Sequence, residues 1–514
     1  MAMDSSRVSS VQSLFHPILI LCAVWFLTHR FIGRHRLRVF PGPLLARATN
    51  LWRYMDVRSG SHQHTLIRLH AQHGPIVRIG PNTLSISSPE AIPQIYGASK
   101  GFAKSAFYDA FAQHSGGKII PALFTEKNEE QHQQIRRPVA QVYLMGAMLA
   151  YEPVIDGVVQ TMIKLLAEKY GSHNRRNYTI CNIGEWLQYF AFDTTTEITF
   201  SKSCGLLQHG QDVGDYIKKL DDGVDAAAPL SQLPWLQHLK SKNPLNRFLA
   251  KDSGFIVSFI DEQIRQREVA LKDRTCNRSL HPDLLHHFLA AGKSYPMVDD
   301  ALVRSYAISN VASGSDALSI PLRAIIFFVL SHEEVHKKLI QEFRSARLQT
   351  PVSFQETTKL PYLDAVVKES LRLHPPVGLG LERIVPSSGL QLKDKPFIPP
   401  GTQVSICAWV VHRDRHVFGS DADDFNPERW LRRESEDWQA YEKRLGQMKR
   451  CTFTFGHGPR ACIGKNPSLL IIYKVIPVLF LEFDLRLKSK DLFTKNSWFV
   501  RQWGLMVDMR KLKT

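Results

Sequence analysis

The chain lacks any Cys-x-x-Cys pair: its seven cysteines (22, 181, 204, 276, 407, 451 and 462) are scattered along 514 residues. An odd, dispersed set argues against a disulfide framework and for a reducing compartment. There is no low-complexity block and no internal repeat, which excludes a repeat array or a disordered linker as the organising principle. No Gly-x-Gly-x-x-Gly unit occurs, so nothing marks a flavin or nicotinamide site. Nucleic-acid motifs are missing too, so the formal net charge of +17 at pH 7 points to a membrane surface or an acidic protein, with no nucleic acid as partner.

What is present is an ordinary folded composition, 44% hydrophobic and 22% charged, in a chain long enough to bury a sizeable core. Leu14–Leu27 is almost wholly apolar, and extending it to Val11–Ile32 supplies the length of a membrane-spanning helix. Arg34, His35, Arg36 and Arg38 follow, then the stiff Pro41-Gly42-Pro43. The positive flank places the body on the cytoplasmic side, and no small-residue cleavage site follows the run. The expected organisation is an uncleaved anchor with its basic flank at 1–40, a proline hinge, and one catalytic body at 41–514.

Ile76–Ile79 and Leu84–Ile86, joined by Gly80-Pro81-Asn82, predict a hairpin. Apolar periodicity predicts helices over Glu129–Leu144, Val154–Lys169, Ile183–Phe200, Phe255–Leu271, Asp283–Ala291, Leu302–Leu330 and Leu360–Leu373. His132 and Arg136 share one face of the first of these. Pro229–Pro244 reads as a looser segment exposing Leu233, Trp235 and Leu236. Pro321 cannot donate to the Ala317 carbonyl, so the long helix should kink there.

The most informative stretch is Phe455-Gly456-His457-Gly458-Pro459-Arg460-Ala461-Cys462-Ile463-Gly464, followed by an apolar helix from Lys465 to Phe483. A cysteine in a glycine turn at a helix start is placed to be held as thiolate among backbone N–H donors. A single cysteine serving a metal most often serves haem iron, which makes Cys462 the candidate metal ligand. Cys451 has no such turn around it.

This run resembles the haem-binding signature Phe-x-x-Gly-x-Arg-x-Cys-x-Gly of the cytochrome P-450 family. Glu369-Ser370-Leu371-Arg372 and Phe425-Asn426-Pro427-Glu428-Arg429-Trp430 match two further family segments in the right order, and the likeness covers nearly the whole chain. Its closest flavour is the fungal, microsomal, pisatin-demethylase-like group. The resemblance implies a mainly α fold with small β-sheets (α+β) and haem b (iron protoporphyrin IX) as cofactor. It implies that Phe455 packs beneath the haem, that Arg460, Arg136, Arg383 and His132 balance its propionates, and that Glu369, Arg372 and Arg429 form a buried ion triad. His132 stands where the family usually has tryptophan.

In the long helix the resemblance aligns Gly314, Ser315 and Asp316 with the family's oxygen-activating segment, with Asp316 as candidate proton relay. Ala317 occupies the position of the usual threonine. The freed Ala317 carbonyl, a water, and the hydroxyl of Ser315 or Ser313 are expected to substitute for it. The segment before Pro244 should cover the substrate, and a hairpin near Trp498–Met506 should reach into the pocket.

The function implied is a monooxygenase placing one oxygen atom from dioxygen into an apolar small molecule of fungal secondary metabolism. Electrons would come from NADPH through a separate NADPH-cytochrome reductase, docking on Lys443, Arg444, Lys449, Arg450 and Lys465. The location implied is the endoplasmic reticulum membrane. Two alternatives stay open: a haem-thiolate isomerase, dehydratase or peroxide-rearranging enzyme needing no reductase, kept alive by Ala317, and a non-enzymatic haem-binding protein.

Overall fold

Helix Asp300–Ser331 is the spine of the body. The computed structural model describes residues 37–115, 118–171, 178–236, 239, 255–272 and 282–512; the apolar run Val11–Ile32 lies outside them. The long helix starts at Asp299, whose carboxylate accepts from the Leu302 N–H at 2.9 Å. It is long and apolar enough to cross a membrane, but most of it is buried inside the body, as in a core helix. It runs through Pro321 without interruption, so the proline removes one donor and does not end the helix.

Helices Ile183–Phe200, Pro361–Leu373 and Lys465–Glu482 pack against this spine and form the main core with it. The first of them is buried at nearly every residue, threonines included. Thr195 and Thr199 donate back to carbonyls one turn earlier, at 2.7 and 2.6 Å, which lets these hydroxyls sit in an apolar core. The other periodic segments form helices Glu129–Ala140, Glu152–Tyr170, Phe255–Lys272 and Leu284–Ser294.

The β structure is small and peripheral. Ile76–Gly80 and Thr83–Ile86 form the expected hairpin, with Ile76 opposite Ile86. Gln403–Ser405 joins it in parallel, and Arg383–Ile384 closes a four-stranded sheet. The C-terminal hairpin lies earlier than expected: Phe493–Ser497 pairs with Phe499–Trp503, while Met506–Lys511 belongs to a separate three-stranded sheet. Trp498 alone makes the turn, which moves the tip back to the start of the expected range.

One exposure differs from expectation. Helix Tyr216–Leu230 continues through Pro229, and the turn after it directs Leu233 into the body, where it is buried. Trp235 is 61% exposed, as the pattern suggested, and Leu236 is half-buried.

The buried charges of helix Pro361–Leu373 fix the segments that carry the site. Glu369 accepts from Arg372 Nη2 and Arg429 Nε, both at 2.8 Å, and from the indole of Trp430 at 2.8 Å. Arg372 also donates to the carbonyls of His412 and Asp424, at 2.9 and 3.0 Å. Every buried charge in this group has a partner, as it must in a low-dielectric interior.

Candidate active site

The cysteine loop is held by that same network. His412 Nδ1 donates to the Arg372 carbonyl at 3.0 Å, and its Nε2 accepts from the Phe453 N–H at 2.7 Å. This pattern requires a neutral imidazole; burial, with Arg372 and Arg413 nearby, pushes its pKa down to about 3. The loop then folds on itself, with the Cys462 N–H donating to the Phe455 carbonyl at 2.8 Å. Gly458 has φ 67°, and a Cβ there would stand 2.0 Å from the Tyr96 carbonyl oxygen, so only glycine fits.

Cys462 is surrounded by protein yet exposed by area, so its sulfur opens on an interior space. Burial raises the thiol, while the Gly464 N–H, Arg136 and Lys465 favour the thiolate. The Lys465 ammonium lies 5.9 Å from the centroid of the Phe455 ring, which keeps the aromatic beside the loop.

On one flank the structure assembles cations. Arg136, Arg383, Arg460 and Lys104 all act on His132, whose pKa falls to about 3 through burial and then these four charges. His132 is therefore a neutral N–H donor. Arg383 donates to the Tyr108 hydroxyl at 3.0 Å and lies 5.0 Å from the Tyr96 ring centroid. Arg460 donates through Nε to both oxygens of Glu129, at 2.9 and 3.1 Å, and through Nη1 to the Glu126 carbonyl at 2.7 Å. Lys104 is buried, donates to the Phe124 carbonyl at 2.5 Å, and has its pKa driven well down by burial and by Arg383 and Arg460. Glu126 and Glu129 are the two carboxylates that act on Lys104 in return. Three arginines face the carboxylates of Glu126 and Glu129, so the cluster is rich in positive charge even though burial disfavours the charged form of Lys104. Lys104 was not visible to sequence reasoning: it is one lysine in an aperiodic loop.

The opposite wall is the long helix. Ser313 is exposed and Ala317, one turn on, is half-buried, so both face the open space. Ser313 donates to the Ser309 carbonyl. The three residues between them are placed otherwise than the motif suggested. A Cβ on Gly314 would meet Thr195 Cγ2 at 2.8 Å, so this glycine permits close packing of two helices. Ser315 is fully buried with no partner for its hydroxyl among the described residues, and two residues from Ser313 it points to the far side of the helix. Asp316 is buried and accepts from Gln188 Nε2 at 2.8 Å; burial raises its pKa against the pull of Arg501, Gln188 and Arg323. Of the stand-ins expected for the missing threonine hydroxyl, Ser313 is on the right face and Ser315 is not.

A family model for cytochrome P450 matches residues 41–506. The chain belongs to the cytochrome P450 family. A cytochrome P450 monooxygenase of Emericella nidulans, cicH, is 36% identical over 488 residues, covering 94% of each chain. One of Annulohypoxylon moriforme, mfmA, is 36% identical over 488 residues, or 93% of this chain and 92% of the relative. The mpaDE monooxygenase of Penicillium roqueforti is 36% identical over 514 residues, and the chain spans only 58% of that relative's length.

Cytochrome P450 proteins are oxidoreductases that use haem b and electrons from a redox partner. The residues present fit that cofactor: an accessible thiol, and beside it a cluster of arginines suited to the two propionates that haem b carries. On the outer surface near the cysteine loop, Lys443, Lys449, Arg450 and Lys465 are exposed. Arg444 differs from expectation: it is engaged by Glu436 at 2.8 and 2.6 Å and by the Leu431 carbonyl at 2.9 Å. Its guanidinium is used inside the body.

Proposed function

We propose that the protein is a haem-thiolate monooxygenase that inserts one oxygen atom from dioxygen into an apolar small molecule, in fungal secondary metabolism. The observation that carries this reading is the accessible Cys462 thiol facing a cradle of Arg136, His132, Arg383, Arg460 and Lys104. Haem supplies the dioxygen activation. Cys462 is its iron ligand, Phe455 packs beside the thiolate, and the cradle binds the two propionates. Helix Asp300–Ser331 would line the cavity opposite Cys462, where Ser313 and the Ala317 carbonyl, which Pro321 cannot bond, would hold a water. Asp316, held by Gln188 on the far side of that helix, is left out of the chemistry on the cavity side.

Electrons come from NADPH through a separate reductase whose acidic face meets Lys443, Lys449, Arg450 and Lys465. Residues 1–40 anchor the protein in the endoplasmic reticulum membrane, with the body at 41–514 on the cytoplasmic side. The exposed Leu44, Leu45, Leu51 and Met55, next to that segment, support contact with the bilayer surface.

The test is a reduced, carbon-monoxide-bound spectrum, which shows the thiolate-ligated form for the native protein and loses it in Cys462→Ala. Metabolites offered with NADPH, reductase and dioxygen should then gain the mass of one oxygen atom. Product formed without reductase would instead establish the isomerase or dehydratase alternative that Ala317 leaves open.

A further inference from the structure

Trp498 turns the C-terminal hairpin by itself, between the paired residues Ser497 and Phe499, with φ 84°. A bulky side chain in the left-handed region is a costly conformation that persists only when its surroundings fix it. Here the Trp498 carbonyl accepts from the Gly378 N–H at 2.8 Å. Its indole lies among three phenyl rings, with centroids 5.0 Å from Phe124, 5.4 Å from Phe111 and 5.9 Å from Phe107. Phe111 and Phe124 also touch each other, at 5.8 Å.

This aromatic cluster continues onto Ala317 and Ile320 of the long helix, the same face that carries Ser313. Phe111, Phe124 and Ala317 are only half-buried, so rings are presented toward the open side. The polar atoms at the cluster's margin are already engaged: the Tyr108 hydroxyl accepts from Arg383 and the Phe124 carbonyl accepts from Lys104. The wall is also braced from outside. Arg501, on the strand that follows Trp498, forms ion pairs with Asp221 and Asp225 of helix Tyr216–Leu230, and Lys495 of the paired strand reaches Asp225. That helix contributes Ala228 and Val224 to the cluster.

We propose that Phe111 and Phe124, backed by the buried Trp498, form a stacking wall that selects a planar aromatic substrate for this site; the inference rests on the haem-thiolate reading above. An aliphatic wall would take saturated and aromatic molecules alike according to area. A wall of ring faces and edges adds a quadrupolar attraction that only another aromatic ring returns. A strained, ion-paired tip also limits how far the wall can yield to a thicker saturated ring.

The test compares two haem-binding probes of matched size on the holoenzyme, 1-benzylimidazole and 1-(cyclohexylmethyl)imidazole, titrated by their absorption shift. The native protein should bind the benzyl probe about three- to tenfold more tightly, the ratio expected of one or two ring contacts. In Trp498→Leu, Phe111→Leu and Phe124→Leu, which keep an apolar side chain, the ratio should fall toward one. A native ratio of one or below, or a ratio unchanged in all three variants, overturns the wall. Should Trp498→Leu fail to load haem, the native ratio and the two phenylalanine variants decide. The reduced carbon-monoxide spectrum separates this from the underlying reading: a thiolate form with no aromatic preference defeats only the wall, whereas no thiolate form in the native protein defeats both.

Discussion

The carboxylate of Glu369 accepts from Arg429 Nε at 2.8 Å, across a separation of 60 residues, with both side chains almost wholly buried. Removing one partner from such a pair leaves an uncompensated charge in the core. Glu369→Gln should therefore cost about 3–5 kcal/mol of stability and much of the bound haem, because His412 and the cysteine loop hang from the same network. Urea unfolding and haem content per chain measure this. Glu333→Gln, at an exposed helical pair with Lys337, should change neither.

Acid should weaken the fold well above the range of ordinary carboxylates. Burial, the first cause at each, depresses His70 and His374 to about 4 and His412 to about 3. The unfolded chain takes up these protons near pH 6.5 and the folded chain does not. Their stabilisation is thus complete above about pH 6.5 and is lost as pH falls toward about 4, at up to about 1.4 kcal/mol per pH unit for each histidine. Unfolding midpoints followed between pH 7 and 5 test the direction. In His70→Gln the slope should drop by about one proton.

Ala317→Thr should leave the ratio of product formed to NADPH consumed unchanged within about twofold if, as proposed, Ser313 and the Ala317 carbonyl serve the cavity face. Pro321→Ala restores a donor to that carbonyl and should lower the ratio, with more hydrogen peroxide released. Parallel assays of NADPH, peroxide and product distinguish the two. A large gain in coupling for Ala317→Thr would mean that nothing local replaces the hydroxyl.

Reversing charge at Lys449 and Arg450 together should slow electron delivery by the reductase, most at low ionic strength, where exposed charges are least screened. Stopped-flow reduction across a salt series reads this. Arg444→Gln should behave differently: its half-buried guanidinium holds Glu436 and the Leu431 carbonyl, so the change should lower stability and leave the salt dependence alone.

Much of the architecture was legible because it is carried by local pattern. The buried helices announced themselves by apolar runs, the hairpin by Gly80-Pro81-Asn82, and the thiolate loop by fixed spacing around Cys462. Illegible features were those where distant residues meet without periodicity. Lys104 reaches the cationic cradle from a loop, and Arg444 is drawn inward by Glu436, eight residues away across another turn. Gly314, Ser315 and Asp316 matched a motif, yet motif alignment does not say which face of a helix a residue occupies. Leu233 failed for a related reason, since a helix that tolerates Pro229 at its end shifts the residues after it.

The bracing of Arg501 by Asp221 and Asp225 also bears on time. The hairpin that carries Trp498 is tied to helix Tyr216–Leu230 by charges on both sides, so a ligand path between the two opens only when paired groups separate. The same separation must recur for anything to leave. Association and dissociation are slowed together, so equilibrium affinity would conceal the effect, and its signature is a long residence of whatever the pocket has accepted.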